Sequence, residues 1–192
     1  MRLFLATFLS PVNIAGYQAF VDRVMSEAPG ALRPIPPESH HLTLAFLGEL
    51  SDDHVEKCRA GLAGVRGFES FPFSLEPPRI LMGRGRPRLI CVGLGVGTRQ
   101  VSEVQATLVS HLIKSLPSLE VRPKPPHVTL ARFKKNAHRT QTAGVEEAIG
   151  RHFDTSRPWE DRLAEIHLVK SSLTPEGPIY ESVQSVLLPT GH

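Results

Sequence analysis

The chain has 192 residues, 41% of them hydrophobic and 21% charged, with a formal net charge of +3. That size supports an apolar core without a disulfide framework or a structural metal. No apolar run approaches the ~20 residues that a membrane-spanning helix needs, so no membrane partner is expected.

Residues 2 to 9, RLFLATFL, read as a buried first strand. Pro11 and Asn13 end the apolar stretch too early for a signal peptide, and no small-residue cleavage site follows cleanly. The expected location is the cytoplasm. A helix follows over residues 10 to 30, with Ser10 as N-cap, Pro11 at the first helical position and Gly30 beyond the end. The proline-rich LRPIPPESH is a loop leading into a strand at 41 to 47. A second helix covers 50 to 65, capped by Ser51, with acids in its first turn where the helix dipole favours them.

Two strand-like runs come next, FPFSLEPPRILM and RLICVGLGV, separated by GRGRP. Helical periodicity returns at 98 to 116, with Val101, Val104, Leu108 and Leu112 on one face. After RPKPP comes another strand from His127, then a helix over 140 to 153, then a hairpin around the Pro-Glu-Gly-Pro at 175 to 178. Cys58 and Cys91 are far apart, lack metal-ligand spacing, and fit buried free thiols in a reducing compartment. Charge is uneven along the chain. Twelve of the 22 Lys/Arg but only two of the 19 Asp/Glu lie between Arg79 and Arg139, which points to an anionic partner such as nucleic acid or nucleotide. GRGRPR, at 83 to 88, is either an RNA contact or a solvated hairpin tip.

The segments HHLTLAFLG and PPHVTLARF repeat one pattern, His-aliphatic-Thr-Leu-Ala, starting at His41 and again at His127, 86 residues later. Each follows a helix and a proline-rich loop and precedes another helix, which implies a duplicated unit. Short connections force antiparallel pairing, so the expected class is α+β, with two related lobes in a single domain spanning 1 to 192. Strand alternation puts His41, Thr43 and Ala45 on one face and Leu42, Leu44 and Phe46 on the other. The second strand likewise sets His127, Thr129 and Ala131 against Val128 and Leu130. Strict alternation sends Arg132 to the apolar face, and a bulge or strand end is needed to bring it back. His40 falls on the face opposite His41, as a structural or rim residue.

Two imidazoles and two hydroxyls facing one cleft suit in-line displacement at phosphorus. That reaction needs a base at the incoming oxygen and an acid at the departing one. Histidine serves in either role near neutral pH, and threonine hydroxyls donate to non-bridging oxygens without adding a competing base. A metal site would need a third and usually a fourth ligand, which neither motif carries, so no metal and no cofactor is expected.

HLTLAFLG and PHVTLARF resemble the paired His-x-Thr-x motifs of the 2H phosphoesterase superfamily. The match is closest to the bacterial and archaeal RNA 2′,3′-cyclic phosphodiesterases, also called 2′-5′ RNA ligases. RLFLATFLSP and LVKSSLTPEGPIYE extend the resemblance over most of the chain. It implies a bilobal fold of duplicated antiparallel sheets flanked by helices, with the active-site cleft between the lobes. It also implies metal-independent hydrolysis of a 2′,3′-cyclic phosphate to a 2′-phosphate, by a monomer acting on RNA ends or small cyclic nucleotides. His41 would be the general acid to the leaving 3′ oxygen and His127 the general base to water, with Thr43, Thr129 and Arg132 on the phosphate. The alternatives are a nucleotide- or RNA-binding module that keeps the cleft without turnover, and 2′-5′ ligation of RNA ends in the same site.

Overall fold

Strand β1 (Arg2–Phe8) is apolar on both sides, and this places it inside the sheet. Leu3 and Leu5 face the main core, while Phe4 and Ala6 form a smaller cluster with Val169. The computed structural model describes residues 1–121, 124–137, 139–174 and 177–190. Among them the strands after β1 are β2 (Leu32–Pro34), β3 (His41–Glu49), β4 (Phe71–Ser74), β5 (Arg79–Gly83), β6 (Arg86–Gly93), β7 (His127–Phe133), β8 (Glu160–Leu163), β9 (Glu165–Thr174) and β10 (Gly177–Leu187). The helices are α1 (Pro11–Glu27), α2 (Asp52–Gly61), α3 (Thr98–Ser115) and α4 (Arg139–His152).

The main sheet runs β10-β9-β1-β3-β7-β6-β5, with β2 also paired to β7, and β4 and β8 form a separate two-stranded sheet. All these pairs are antiparallel, as the short connections require. All four helices bury residues in one core cluster, among them Phe20, Val55, Leu108 and Val145. The face of α3 carrying Val101, Val104, Leu108 and Leu112 is fully buried, as its periodicity predicts. Among the described residues no helix residue joins the second cluster of Phe4, Ala6 and Val169, so the other sheet face is left to the cleft.

Three details depart from the expectation drawn from the sequence. The run 71 to 82 is not one strand. Pro77 and Pro78 lack the N–H a ladder needs, so the chain breaks between β4 and β5. The loop after α1 contributes β2, whose Arg33 pairs with Arg132. The polar segment Glu160–Leu163 forms β8, which its composition does not announce. The hairpin of β9 and β10 is present, while its turn residues 175 and 176 lie outside the described residues.

The two His-Thr strands are neighbours, joined through the single register pair Leu42↔Val128. Each carries a bulge at the same place in its motif. Ala6 and Leu5 pair with Thr43 and Ala45, leaving Leu44 extra. Cys91 and Ile90 pair with Thr129 and Ala131, leaving Leu130 extra. A bulge reverses the alternation beyond it. Ala45 therefore joins the main core with Leu42, Leu44 and Leu47. Phe46 turns to the other face, its ring centroid 6.2 Å from that of Phe4. This reverses the faces that strict alternation assigns to Ala45 and Phe46, and in the second motif it moves Ala131 from the face of His127 and Thr129 into the main core.

Candidate active site

The register pair Leu42↔Val128 fixes how the two motifs confront each other. One step outward in an antiparallel register sets His41 opposite Thr129 on one side and Thr43 opposite His127 on the other. At ordinary strand spacings these four positions mark a rectangle of about 5 by 7 Å, close to the size of a phosphate group with its ester oxygens. Leu42 and Val128, both fully buried, anchor its back in the core.

The imidazoles are held alike. His41 Nδ1 lies 2.7 Å from the Ser39 carbonyl, and His127 Nδ1 lies 2.9 Å from the Pro125 carbonyl, in each case two residues upstream. A carbonyl only accepts, so each Nδ1 carries the hydrogen. Nε2 is then the nitrogen that gains or loses a proton on both rings. The His41 Nε2 accepts from the Thr43 hydroxyl at 3.1 Å. Pro126 holds Pro125 extended and so sets the carbonyl that fixes the His127 tautomer, while the short 3-10 turn Pro37–Ser39 presents the Ser39 carbonyl to His41.

The surroundings of His41 are largely aromatic. Phe4 lies 4.9 Å and Phe8 6.0 Å away between ring centroids, and Tyr180 stands edge-on at 5.2 Å and 90°. Desolvation is the main force on its pKa and pushes it down to about 4. The Ser39 carbonyl opposes this, and the charges of His40, His127 and Arg132 add to it. In the free protein His41 is therefore neutral at pH 7.

Arg132 meets the condition its position imposed. The bulge at Leu130 reverses the strand, and Arg132 lies close enough to His41 and Tyr180 to act on both electrostatically. Its own pKa is lowered chiefly by burial, with Arg88 and Arg33 adding to the effect. Arg132 and Phe46 occupy equivalent places in the two motifs, so one end of the rectangle is cationic and the other aromatic. Lys124 sits over the Phe46 ring, 4.7 Å from its centroid. His40 is fully buried, in agreement with a structural place.

Alternation alone missed Gln105, Tyr180 and Phe46. Buried Gln105 on α3 donates to the Thr43 carbonyl at 3.4 Å and to the Lys124 carbonyl at 3.5 Å. It ties the bulged strand β3 to the approach of β7. A lone amide beside Val101, Val104 and Leu108 on an apolar face was the available signal. For Tyr180 the signal was its place in the final hairpin. Among the described residues, no group of three or more His, Cys, Asp or Glu side chains comes together to hold a metal ion. Cys58 and Cys91 are buried and unpaired.

The family model of the 2′-5′ RNA ligase superfamily matches residues 15–174. The chain belongs to that superfamily. Within the superfamily, it is similar to a protein of Aeropyrum pernix named RNA 2′,3′-cyclic phosphodiesterase, 30% identical over 155 residues that make up 81% of this chain and 85% of that one. A protein of the same name from Methanothermobacter thermautotrophicus is 27% identical over 190 residues, 96% and 97% of the two chains. The crystal structure of TT0787 from Thermus thermophilus superposes over 100% of both chains with a TM-score of 0.77 and 26% identity. That of Escherichia coli LigT in apo form covers 98% of both with a TM-score of 0.73 and 25% identity. Superfamily membership and the α+β class thus agree with the expectation from the two motifs.

Proposed function

We propose that this protein hydrolyses the 2′,3′-cyclic phosphate at RNA ends to a 2′-phosphomonoester, without a metal, using His41 and His127 as an acid–base pair. The observation that carries the reading is the matched geometry of the two imidazoles. Each has its Nδ1–H tied to a carbonyl two residues upstream, which leaves Nε2 to exchange protons. The names of its relatives point to the same substrate class.

In this reading Thr43, Thr129 and Arg132 hold the non-bridging oxygens and stabilise the charge that builds on them. His127 removes a proton from water as its oxygen bonds to phosphorus. The bond from phosphorus to the 3′ oxygen breaks in line, and His41 protonates that oxygen. His41 acquires its proton in the complex, because the anionic diester beside it offsets the desolvation that keeps it neutral in the free protein. A 5′-hydroxyl in place of water would give a 2′-5′ linkage by the same displacement. The two motif strands act as halves of one duplicated unit in a monomeric cytoplasmic protein, a setting that suits the two unpaired thiols.

The test is incubation with an oligonucleotide ending in a 2′,3′-cyclic phosphate after exhaustive chelation. Undiminished conversion to the 2′-phosphate is expected. A 3′-phosphate product would overturn the leaving-group assignment, and a requirement for added divalent metal would overturn the mechanism. Binding without turnover would favour a non-catalytic RNA-binding module.

A further inference from the structure

Beside the cleft, the β5–β6 hairpin and the end of β7 enclose a cavity of about 470 Å³ with no acidic residue in its lining. Arg84, Arg86, Arg88, Arg132, Lys134 and Lys135 line it. Among the described residues none of these six forms an ion pair. Arg59, Arg79, Arg99, Arg151 and Lys170 elsewhere each meet a carboxylate. Six cations gathered around one cavity, with no carboxylate in its lining, repel one another, and an anion from outside relieves that repulsion.

The hairpin tip adds an independent observation. Arg84 and Gly85 have φ of 50° and 78°, the pair of positive values that a two-residue type I′ turn requires. Asparagine is the favoured side chain at the first position, and arginine is disfavoured there. Among the described residues Arg84 is the only non-glycine with positive φ. A locally unfavourable choice kept at an exposed tip points to use of its charge. Gly83 serves the same cluster, since a Cβ there would lie 3.1 Å from Cδ of Arg88. The cations lead outward from the cleft. Arg132 pairs in register with Leu89, and Arg86 lies three positions further along β6, about 10 Å at the rise of a strand.

We propose that this tract binds the phosphodiester backbone of single-stranded RNA leading into the cleft, so that the preferred substrate is an oligonucleotide and not a mononucleotide. The proposal rests on the reading of the cleft given above. Arg132 holds the terminal cyclic phosphate, and the hairpin and Lys134–Lys135 hold the phosphates that precede it.

The experiment compares the wild type with Arg84→Asn/Arg86→Gln on cytidine 2′,3′-cyclic phosphate and on a hexanucleotide with the same end. At low salt the wild type should favour the hexanucleotide by about tenfold or more in kcat/KM, and the variant should lose that preference while turning over the mononucleotide within about twofold of the wild type. Fluorescence anisotropy with a labelled hexanucleotide ending in a 3′-hydroxyl should show weaker binding by the variant. The slope of log affinity against log salt should flatten by about 1.4 for the two charges removed. Arg84→Asn alone should not lower the melting temperature, which separates lost contacts from lost folding. Equal affinity of wild type and variant for the hexanucleotide, or a parallel loss on both substrates, would overturn the proposal. If the wild type turned over neither substrate, the reading of the cleft would fail, and the anisotropy result would still decide for or against the tract.

Discussion

At the scale of single residues, the proposed chemistry turns on two Nε2 atoms. Replacing either His41 or His127 with alanine should lower turnover by ~10²–10⁴, the usual span for an acid–base group, with the melting temperature of His127→Ala close to wild type. The roles separate with the leaving group. An aryl phosphodiester needs no proton on its departing oxygen, so His41→Ala should lose far less on 4-nitrophenyl esters than His127→Ala does. Equal losses on both substrate types would contradict the assignment of His41 as acid. The pH profile gives a second check. The alkaline limb of kcat/KM, where the group that must be protonated loses its proton, reports the free enzyme, in which burial holds His41 near 4. In kcat the same limb should move toward neutral, because the bound diester's charge favours protonated His41. Coincident limbs would show that the diester does not bind beside His41.

These residues were legible because alternation places His41 with Thr43 and His127 with Thr129 before any bulge intervenes. Phe46 and Arg132 lie beyond the bulges, where counting by twos fails. Nothing in the local residue types of LTLA or VTLA marks a bulge, because Leu44 and Leu130 are ordinary core leucines in either register.

At the scale of elements, the bulges and the helix above them act together. A bulge frees a carbonyl from the ladder, and at Thr43 the Gln105 amide takes it up. Gln105→Leu keeps the bulk but removes that donor. It should lower stability by about 1–2 kcal/mol, and it should reduce kcat more than it raises KM by letting β3 and the approach to β7 drift. Unchanged kcat with lowered stability would limit Gln105 to a structural part. Helices were the most readable elements, since their caps, proline positions and apolar faces are written locally. Strand partners were less so. β4 leaves the main sheet to pair with β8, a segment of polar residues whose pairing is decided by what covers α1, not by its own pattern. Asp161 of β8 accepts from the Ser10 backbone N–H at 2.8 Å and from the Asn13 amide at 3.0 Å, which pins that small sheet over the start of α1.

At the scale of the whole molecule, buried imidazoles tie stability to pH. His41 is pushed down to about 4, and burial also lowers His40 and His167. Between the folded and unfolded pKa values, the unfolded chain holds more protons than the folded one. The stability these groups contribute is therefore complete above about 6.5 and is lost as pH falls toward 4. His41 alone accounts for about 2 kcal/mol of that loss once partial exposure is allowed for. Denaturant unfolding at pH 7 and pH 4.5 should show the decline, and His41→Gln should shrink it. The charge asymmetry read from the sequence has its counterpart here too, in the cations gathered at one end of the cleft.

The proposed mechanism has two histidines, and no metal, carry the displacement at phosphorus. It is tested most directly by single-turnover rates of wild type, His41→Ala and His127→Ala on a 2′,3′-cyclic-phosphate oligonucleotide in the presence of chelator. Full activity is expected for the chelated wild type, with a loss of ~10²–10⁴ in each folded variant. Near-wild-type rates in either variant would contradict it.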